Sequence, residues 1–281
     1  MNIVHFSGML RYADLGFSLH RVMPSCDYRP HTHDYHELGI ILSGHAVNSI
    51  DGKCFPIGPG DVFIVDKGAT HEITEIDHLV LYNLGFNNHA LRHIGCDLLT
   101  LPGFHALFLM DQLVDPLSRC LQLNKNELTK VIGILDGMLD EYTQNQAGCQ
   151  TILLSEFTKL IALLSRNYGS SIPQKGAWQM ASAVAKMEQA YAEPLSITQL
   201  AASVYMSERH FRRQFEKIYQ QTPKNYLMQI RLNAAIQKLL QTDLSVTSIA
   251  LTCGFSDCNH FSRVFRQKFG ISPTQYRNLY N

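Results

Sequence analysis

The chain has 281 residues, 24 Lys+Arg against 24 Asp+Glu, and a formal net charge of zero. That length suggests two domains, each able to bury its own core. Hydrophobic residues at 46% and charged residues at 17% exclude a disordered or fibrous chain, no apolar run reaches the ~18 residues of a membrane span, and neutrality taken alone argues against a nucleic-acid partner.

The neutral total hides two opposite halves. Residues 1–175 hold 12 Lys+Arg and 18 Asp+Glu, a net of −6, while residues 176–281 hold 12 and 6, a net of +6. Such asymmetry points to nucleic-acid or membrane contact by the positive half. Histidine is equally lopsided, with eleven of thirteen before residue 176. The opening MNIVHFSGMLRYADLG lacks the basic and apolar regions of a secretory signal. Seven cysteines without a CxxC pair read as reduced thiols, so a cytoplasmic protein is expected.

Residues 1–90 read as short strands. FSLHRVM (17–23), HELGIILS (36–43), DVFIVD (61–66) and HLVLYNLGF (78–86) are rich in β-branched and aromatic residues. Asp51-Gly52 is a hairpin signal and Gly58-Pro59-Gly60-Asp61 a second break. Strands at this spacing suggest a small barrel or jelly roll. Within it, His31 and His33 sit two residues apart and so point to one side of a strand. Glu37 lies four further on, and His71 is placed to join them from a facing strand. Three imidazoles and a carboxylate suit Zn, Ni, Fe or Mn. The same groups suit the hydroxyls of a sugar, with no metal required. His36 and His45 read as surface or loop partners.

From 125 to 168 the period becomes helical. Leu128, Val131, Ile132, Leu135, Met138, Leu139 and Tyr142 share one face, and Leu153, Phe157, Leu160, Ile161, Leu164 and Tyr168 another. The two helices either cap the barrel or pair two chains into a homodimer. Gly169-Ser170-Ser171-Ile172-Pro173-Gln174-Lys175-Gly176 reads as a linker. The expected division is a sensing and dimerisation domain over 1–168, a linker over 169–176 and a DNA-binding domain over 177–281.

The last hundred residues contain an internal repeat. Residues 195–226 align with 244–276: Leu195/Leu244, Ser196/Ser245, Thr198/Thr247, Ala201/Ala250 and Ser207/Ser256 pair at an offset of 49. His210/His260, Phe211/Phe261, Arg213/Arg263, Phe215/Phe265, Pro223/Pro273 and Tyr226/Tyr276 pair at 50. In each copy a Ser cap opens a short helix, a turn follows, and a second cap (Ser207; Ser256 or Asp257) opens a longer helix. The longer helix buries a Phe stripe. Its other face carries Arg209, Arg212, Arg213 and Lys217 in the first copy, and Cys258, Asn259, Ser262, Arg263 and Arg266 in the second. A short helix, a turn and a basic helix make a helix-turn-helix, whose second helix enters the major groove. Between the copies, Pro223–Gln241 reads as an uninterrupted helix of about 17 residues, or ~25 Å. Such a rod could hold two recognition helices about one DNA turn apart.

Residues 178–281 resemble the AraC/XylS family of bacterial transcription regulators. The second copy carries the match: Cys253-Gly254-Phe255-Ser256-Asp257, His260-Phe261-Ser262, Phe265-Arg266, Phe269-Gly270, Ser272-Pro273 and Tyr276-Arg277. The resemblance implies two tandem readers of double-stranded DNA acting on RNA polymerase, with base contacts from the exposed face of each recognition helix. Upstream, His31, His33, Glu37 and Gly44 (HxHxxxExxxxxxG), then Gly60, Asp66, Gly68 and His71 (GxxxxxDxGxxH), resemble the two cupin motifs. Asp66 stands where proline is usual. The stretches HTHDYHE and GFSDCNHFS are similar to those of the L-rhamnose regulators within the family. The expected fold is therefore α+β in two domains: a cupin-like barrel with a helical pair, then an all-α tandem helix-turn-helix domain. The expected function is activation of transcription in response to a small molecule such as a sugar. A cupin metalloenzyme and a metal- or pH-responsive regulator stand as alternatives.

Overall fold

The structure is a computed structural model and describes residues 2–6, 12–110, 119–169 and 175–280. The chain divides into two compact units, Met1–Ala181 and Ser182–Asn281. Of the linker expected over 169–176, residues 170–174 lie outside the described residues, and Lys175 and Gly176 begin a helix.

The described part of the first unit contains β1 (Asn2–Val4), β2 (Phe17–Val22), β3 (Tyr28–His33), β4 (His36–Ile50), β5 (Lys53–Ile57), β6 (Asp61–Val65), β7 (His71–Phe86) and β8 (Cys120–Gln122). β4 and β7 run antiparallel along almost their whole length and form the spine. Beyond them, β7 takes β3 at its start and β2 at its end. β4 likewise takes β6 early and β5 late. One long hairpin thus serves two ends of the sheet, with register shifts between Ile41 and Val47 where the partners change. Gly44, the motif glycine, sits at that bend with φ +76°, and a Cβ there would lie 2.2 Å from the His78 carbonyl oxygen. Bulges and left-handed positions of this kind re-aim a strand. They also mask alternation, which is why β4 and β7 are longer than the 36–43 and 78–86 read from sequence.

Asp51 and Gly52 both have positive φ and close the β4–β5 hairpin as expected. Inward-facing Ile41, Ile50, Phe63, Val65, Ile73, Leu79 and Leu81 form the barrel core, each nearly free of solvent. After β7 the chain makes a short turn of helix, α1 (Pro102–Phe104), widened through His105–Leu109. The helical pair follows as α2 (Lys125–Gln144) and α3 (Cys149–Asn167). Asn124 and Glu127 form a capping box at the start of α2. Val131, Ile134, Leu135 and Met138 of α2 are buried, as are Leu153, Phe157, Leu160, Ile161 and Leu164 of α3. Phe157 stacks on Phe17 of β2 with ring centroids 4.5 Å apart, which fixes α3 against the sheet.

The second unit takes in the end of α4 (Lys175–Gln189) and then α5 (Ile197–Ser203), α6 (Glu208–Tyr219), α7 (Pro223–Gln241), α8 (Val246–Thr252), α9 (Cys258–Phe269) and α10 (Pro273–Tyr280). Every start has a side-chain cap: Ser196, Ser207, Thr222, Ser245 and Asp257 accept from the backbone N–H three residues on. Asp257 rather than Ser256 caps α9. α7 runs over the same bounds, Pro223–Gln241, that the sequence marked out. Phe211, Phe215, Phe261 and Phe265 are all fully buried, so the stripe that defined the repeat is the packing face.

Candidate functional site

β3 ends at His33, the chain turns at Asp34-Tyr35, and Glu37 comes back on β4. His71, the first residue of β7, is not across the barrel from them as the spacing suggested. It lies on the neighbouring strand, paired directly with His31. Gly68 makes this possible, because its N–H donates to the His33 carbonyl (2.9 Å) three residues before His71.

The result is a cluster of His33, Glu37 and His71 whose ligand atoms all lie within 4.8 Å of one another. The Nε2 atoms of His33 and His71 are each 3.8 Å from Glu37 Oε2. All three residues are buried. His31, the fourth motif residue, stays outside that cluster. Its Nδ1 engages the Arg29 carbonyl at 2.9 Å, and its ring packs on His71 with centroids 4.3 Å apart. His33 is oriented through Nδ1, 2.6 Å from the Tyr35 carbonyl, which leaves Nε2 without a hydrogen-bond partner among the described residues. Burial lowers the pKa of His33 and pushes that of His71 down to about 3, the latter helped by His31. Burial also raises the Glu37 carboxyl, against the opposing pull of His33 and a hydrogen bond from Asn83. Neutral imidazoles with bare ring nitrogens are both metal ligands and hydrogen-bond partners for hydroxyls.

A cavity of about 190 Å³ opens beside the cluster, lined by His31, Tyr35, Glu37 and His71 together with His20 and Asn83. Neither of the last two stands out in the sequence. The available signal was an Asn at an inward position of HLVLYNLGF, where every second residue is otherwise Leu or Gly.

Asp66, the departure from the cupin pattern, has a clear structural role. It forms an ion pair with Arg119, a fully buried side chain whose Nε also donates to the Leu107 carbonyl (2.9 Å). His36 Nδ1 lies 3.2 Å from the same carboxylate. Arg119 comes from 53 positions down the chain, so nothing local in the sequence announces the pair. His45, by contrast, is exposed.

In the second unit, Arg209, Arg213 and Lys217 recur every four residues along α6 and are exposed. Arg212 is half-buried and held by Glu208, with Nη2–Oε1 at 2.7 Å. Arg213 Nη2 lies 3.2 Å from His210 Nδ1. On α9, Asn259, Arg263 and Arg266 are exposed. Cys258 and Ser262 are half-buried, with sulfur and oxygen 3.9 Å apart. Each helix therefore presents a polar ridge opposite its buried Phe stripe, with one clear difference: cations dominate the first ridge.

A barrel with a polar cavity and a tandem helix-turn-helix unit are independent halves of one pattern. Residues 15–161 match the family described as the AraC-like ligand-binding domain. The chain belongs to the AraC family. Residues 200–279 match a helix-turn-helix domain family, which makes the chain a DNA-binding transcription regulator rather than an enzyme. The regulator is similar to the HTH-type transcriptional activator RhaS of Klebsiella pneumoniae (strain 342), 27% identical over 280 residues, covering 99% of this chain and 97% of that one. It is 26% identical over 277 residues to RhaS of Escherichia coli (strain K12 / DH10B), with the same coverage. Among solved structures, the DNA-binding domain of AdpA in complex with a target DNA is 34% identical, covers 36% of this chain and 92% of its own, and has a TM-score of 0.35. ToxT from Vibrio cholerae O395 is 12% identical, with 95% and 98% coverage and a TM-score of 0.37. Among the described residues no helix is long and apolar enough to cross a membrane.

Proposed function

We propose that this regulator is an activator of transcription in the cytoplasm, switched by a small neutral effector, a sugar such as L-rhamnose. The observation that carries this reading is its likeness to RhaS activators along 99% of the chain. His31, His33, Glu37 and His71 bind the effector. Arg209, Arg212, Arg213 and Lys217 of the first reader and Cys258, Asn259, Ser262, Arg263 and Arg266 of the second contact double-stranded DNA. Residues 1–168 sense and dimerise, 169–176 link, and 177–281 read DNA. Helices α2 and α3 join two chains, so the second chain meets its half-site at high effective concentration, and the bound pair recruits RNA polymerase.

An effector acts only through its differential affinity for the active state, and ~1–3 kcal/mol of coupling gives about 5–150-fold in DNA affinity. A thermal-shift screen of neutral sugars tests this, since a ligand at 100 times its Kd adds about 2.7 kcal/mol of stability. Any hit should then tighten or loosen DNA binding. A sugar that stabilises the chain but leaves DNA affinity unchanged would sink the proposal.

The cluster favours one second reading, in which a divalent transition metal (Zn, Ni, Fe or Mn) is the signal. His33, Glu37 and His71 offer the borderline nitrogen and oxygen donors such ions prefer, from atoms already within 4.8 Å of one another. Elemental analysis showing a stoichiometric metal that His33→Ala loses, with DNA affinity that follows zinc in the absence of sugar, would replace the sugar reading.

A further inference from the structure

The floor of the cavity is built by pairing across β2, β7 and β4. Ser18 stands opposite Gly85, His20 opposite Asn83, and Val22 opposite Leu81. Asn83 in turn stands opposite Gly39 of β4. Residues two apart share a face, and His20, Val22, Leu81 and Asn83 all line the cavity. His20 and Asn83 are thus a cross-strand polar pair between the Ser18–Gly85 rung and the apolar Val22–Leu81 rung.

Their hydrogen bonding is incomplete. His20 Nε2 and Asn83 Oδ1 are shielded from solvent, and neither has a partner among the described residues. His33 Nε2 and both ring nitrogens of His71 are in the same state. A buried polar atom without a partner is costly, and natural interiors leave few of them. Here five such atoms belong to four residues of one small site, with Glu37 tied to both sets: 3.8 Å from His33 and His71, and hydrogen-bonded by Asn83. Val4, Ile73 and Leu81 supply an apolar wall, and among the described residues no Lys or Arg lines the cavity.

We propose that His20 and Asn83 form a second binding pole beside the His33/Glu37/His71 pole, so that the cavity takes an uncharged polyhydroxyl ligand and rejects carboxylates and phosphates. A compound with hydroxyls on two edges and an apolar face satisfies both poles and the wall at once. An anionic ligand would bring a charge into a partly enclosed site with no described Lys or Arg to meet it, beside a carboxyl group. The inference rests on the cavity being the effector site, and adds the residues that select a neutral effector there.

The test uses the full chain. Calorimetry is run with L-rhamnose, L-arabinose, D-xylose and D-glucose, then with D-glucuronate and D-glucose 6-phosphate. At least one neutral sugar binds, and neither anion does. His20→Ala and Asn83→Ala each weaken that sugar about tenfold, as expected for a hydrogen bond lost inside a partly enclosed site. His20→Gln restores part of the loss, because an amide nitrogen reaches near the Nε2 position. The far-UV circular dichroism of the sugar-free variants stays that of the parent, which shows that the fold is intact. A sugar that binds these variants as it binds the parent, yet is lost in His71→Ala, overturns the second pole alone. Binding of the glucuronate or the phosphate overturns the exclusion of anions. If no sugar binds the parent chain, the reading of the cavity as a sugar site fails, and the second pole fails with it.

Discussion

The two helix-turn-helix copies are nearly the same scaffold beneath different surfaces. In both, a Phe at the centre of the long helix meets a Tyr of the following helix edge-on: Phe215 and Tyr226, Phe265 and Tyr276, each with centroids 5.5 Å apart. In both, a hydroxyl cap (Thr222, Ser272) precedes a proline-led helix. The differences lie where solvent or DNA is met. The first copy's turn places Tyr205, 92% exposed, at φ +59°, while the second has Gly254 at φ +82° in the same place. The first recognition helix carries four cations and two glutamates, and the second carries Arg263, Arg266 and Lys268 with no acid, beside Cys258, Asn259 and Ser262. Duplication preserved what folding needs and let the readout diverge. On the proposed function, Lys217 supplies phosphate attraction and Arg263 base discrimination.

The sharpest way to break the claim of equal scaffolds is in the cores. Phe215→Ala and Phe265→Ala should each cost about 3–5 kcal/mol of stability in urea unfolding, and a large difference between them would show that the copies are not equivalent. The turns should differ in sign. Gly254→Ala strains a left-handed residue and sets a Cβ 2.8 Å from the Tyr191 carbonyl oxygen, costing about 1–3 kcal/mol. Tyr205→Gly relieves the same backbone conformation and should gain about 1 kcal/mol.

On the surface, Arg263→Ala should lose about 1–3 kcal/mol on the operator and relax selectivity at one base pair. Lys217→Ala should weaken all sequences alike and reduce the salt slope by about 1. Equal selectivity loss from both would remove the proposed division of labour.

The smallest effect separates the caps by pH. The Asp257 carboxyl sits below the usual aspartate range, chiefly because the His260 N–H donates to it. Its stabilisation is therefore full above the ordinary aspartate pKa and fades as pH falls through the lowered one. Ser207 does not titrate. Glu208 in the first turn of α6 is also held below the usual glutamate range, by hydrogen bonds from Thr198 and Arg212. Asp257→Ser should therefore remove the acid sensitivity of the α9 start and leave that of α6, as amide exchange would show.

Much of this was legible in the sequence for a physical reason. The repeat, its caps and its Phe stripe are local patterns with helical period, and α7 begins at its proline. The histidine motif was legible as residue types, but pairing across strands brought it together, and that pairing left His31 beside the cluster rather than in it. His20 and Asn83 could not be found without the register of β2 on β7. The Asp66–Arg119 pair joins positions too distant for any pattern to reveal. The lengths of β4 and β7 were hidden by the bulges that bend them.

The most direct test is the affinity of the full chain for its operator, measured across salt with and without L-rhamnose or another sugar that binds. If each chain neutralises about 6 phosphates, log K falls linearly with log salt at a slope near −5, and the sugar shifts the line by about 5–150-fold. Affinity that ignores both salt and sugar would contradict the account.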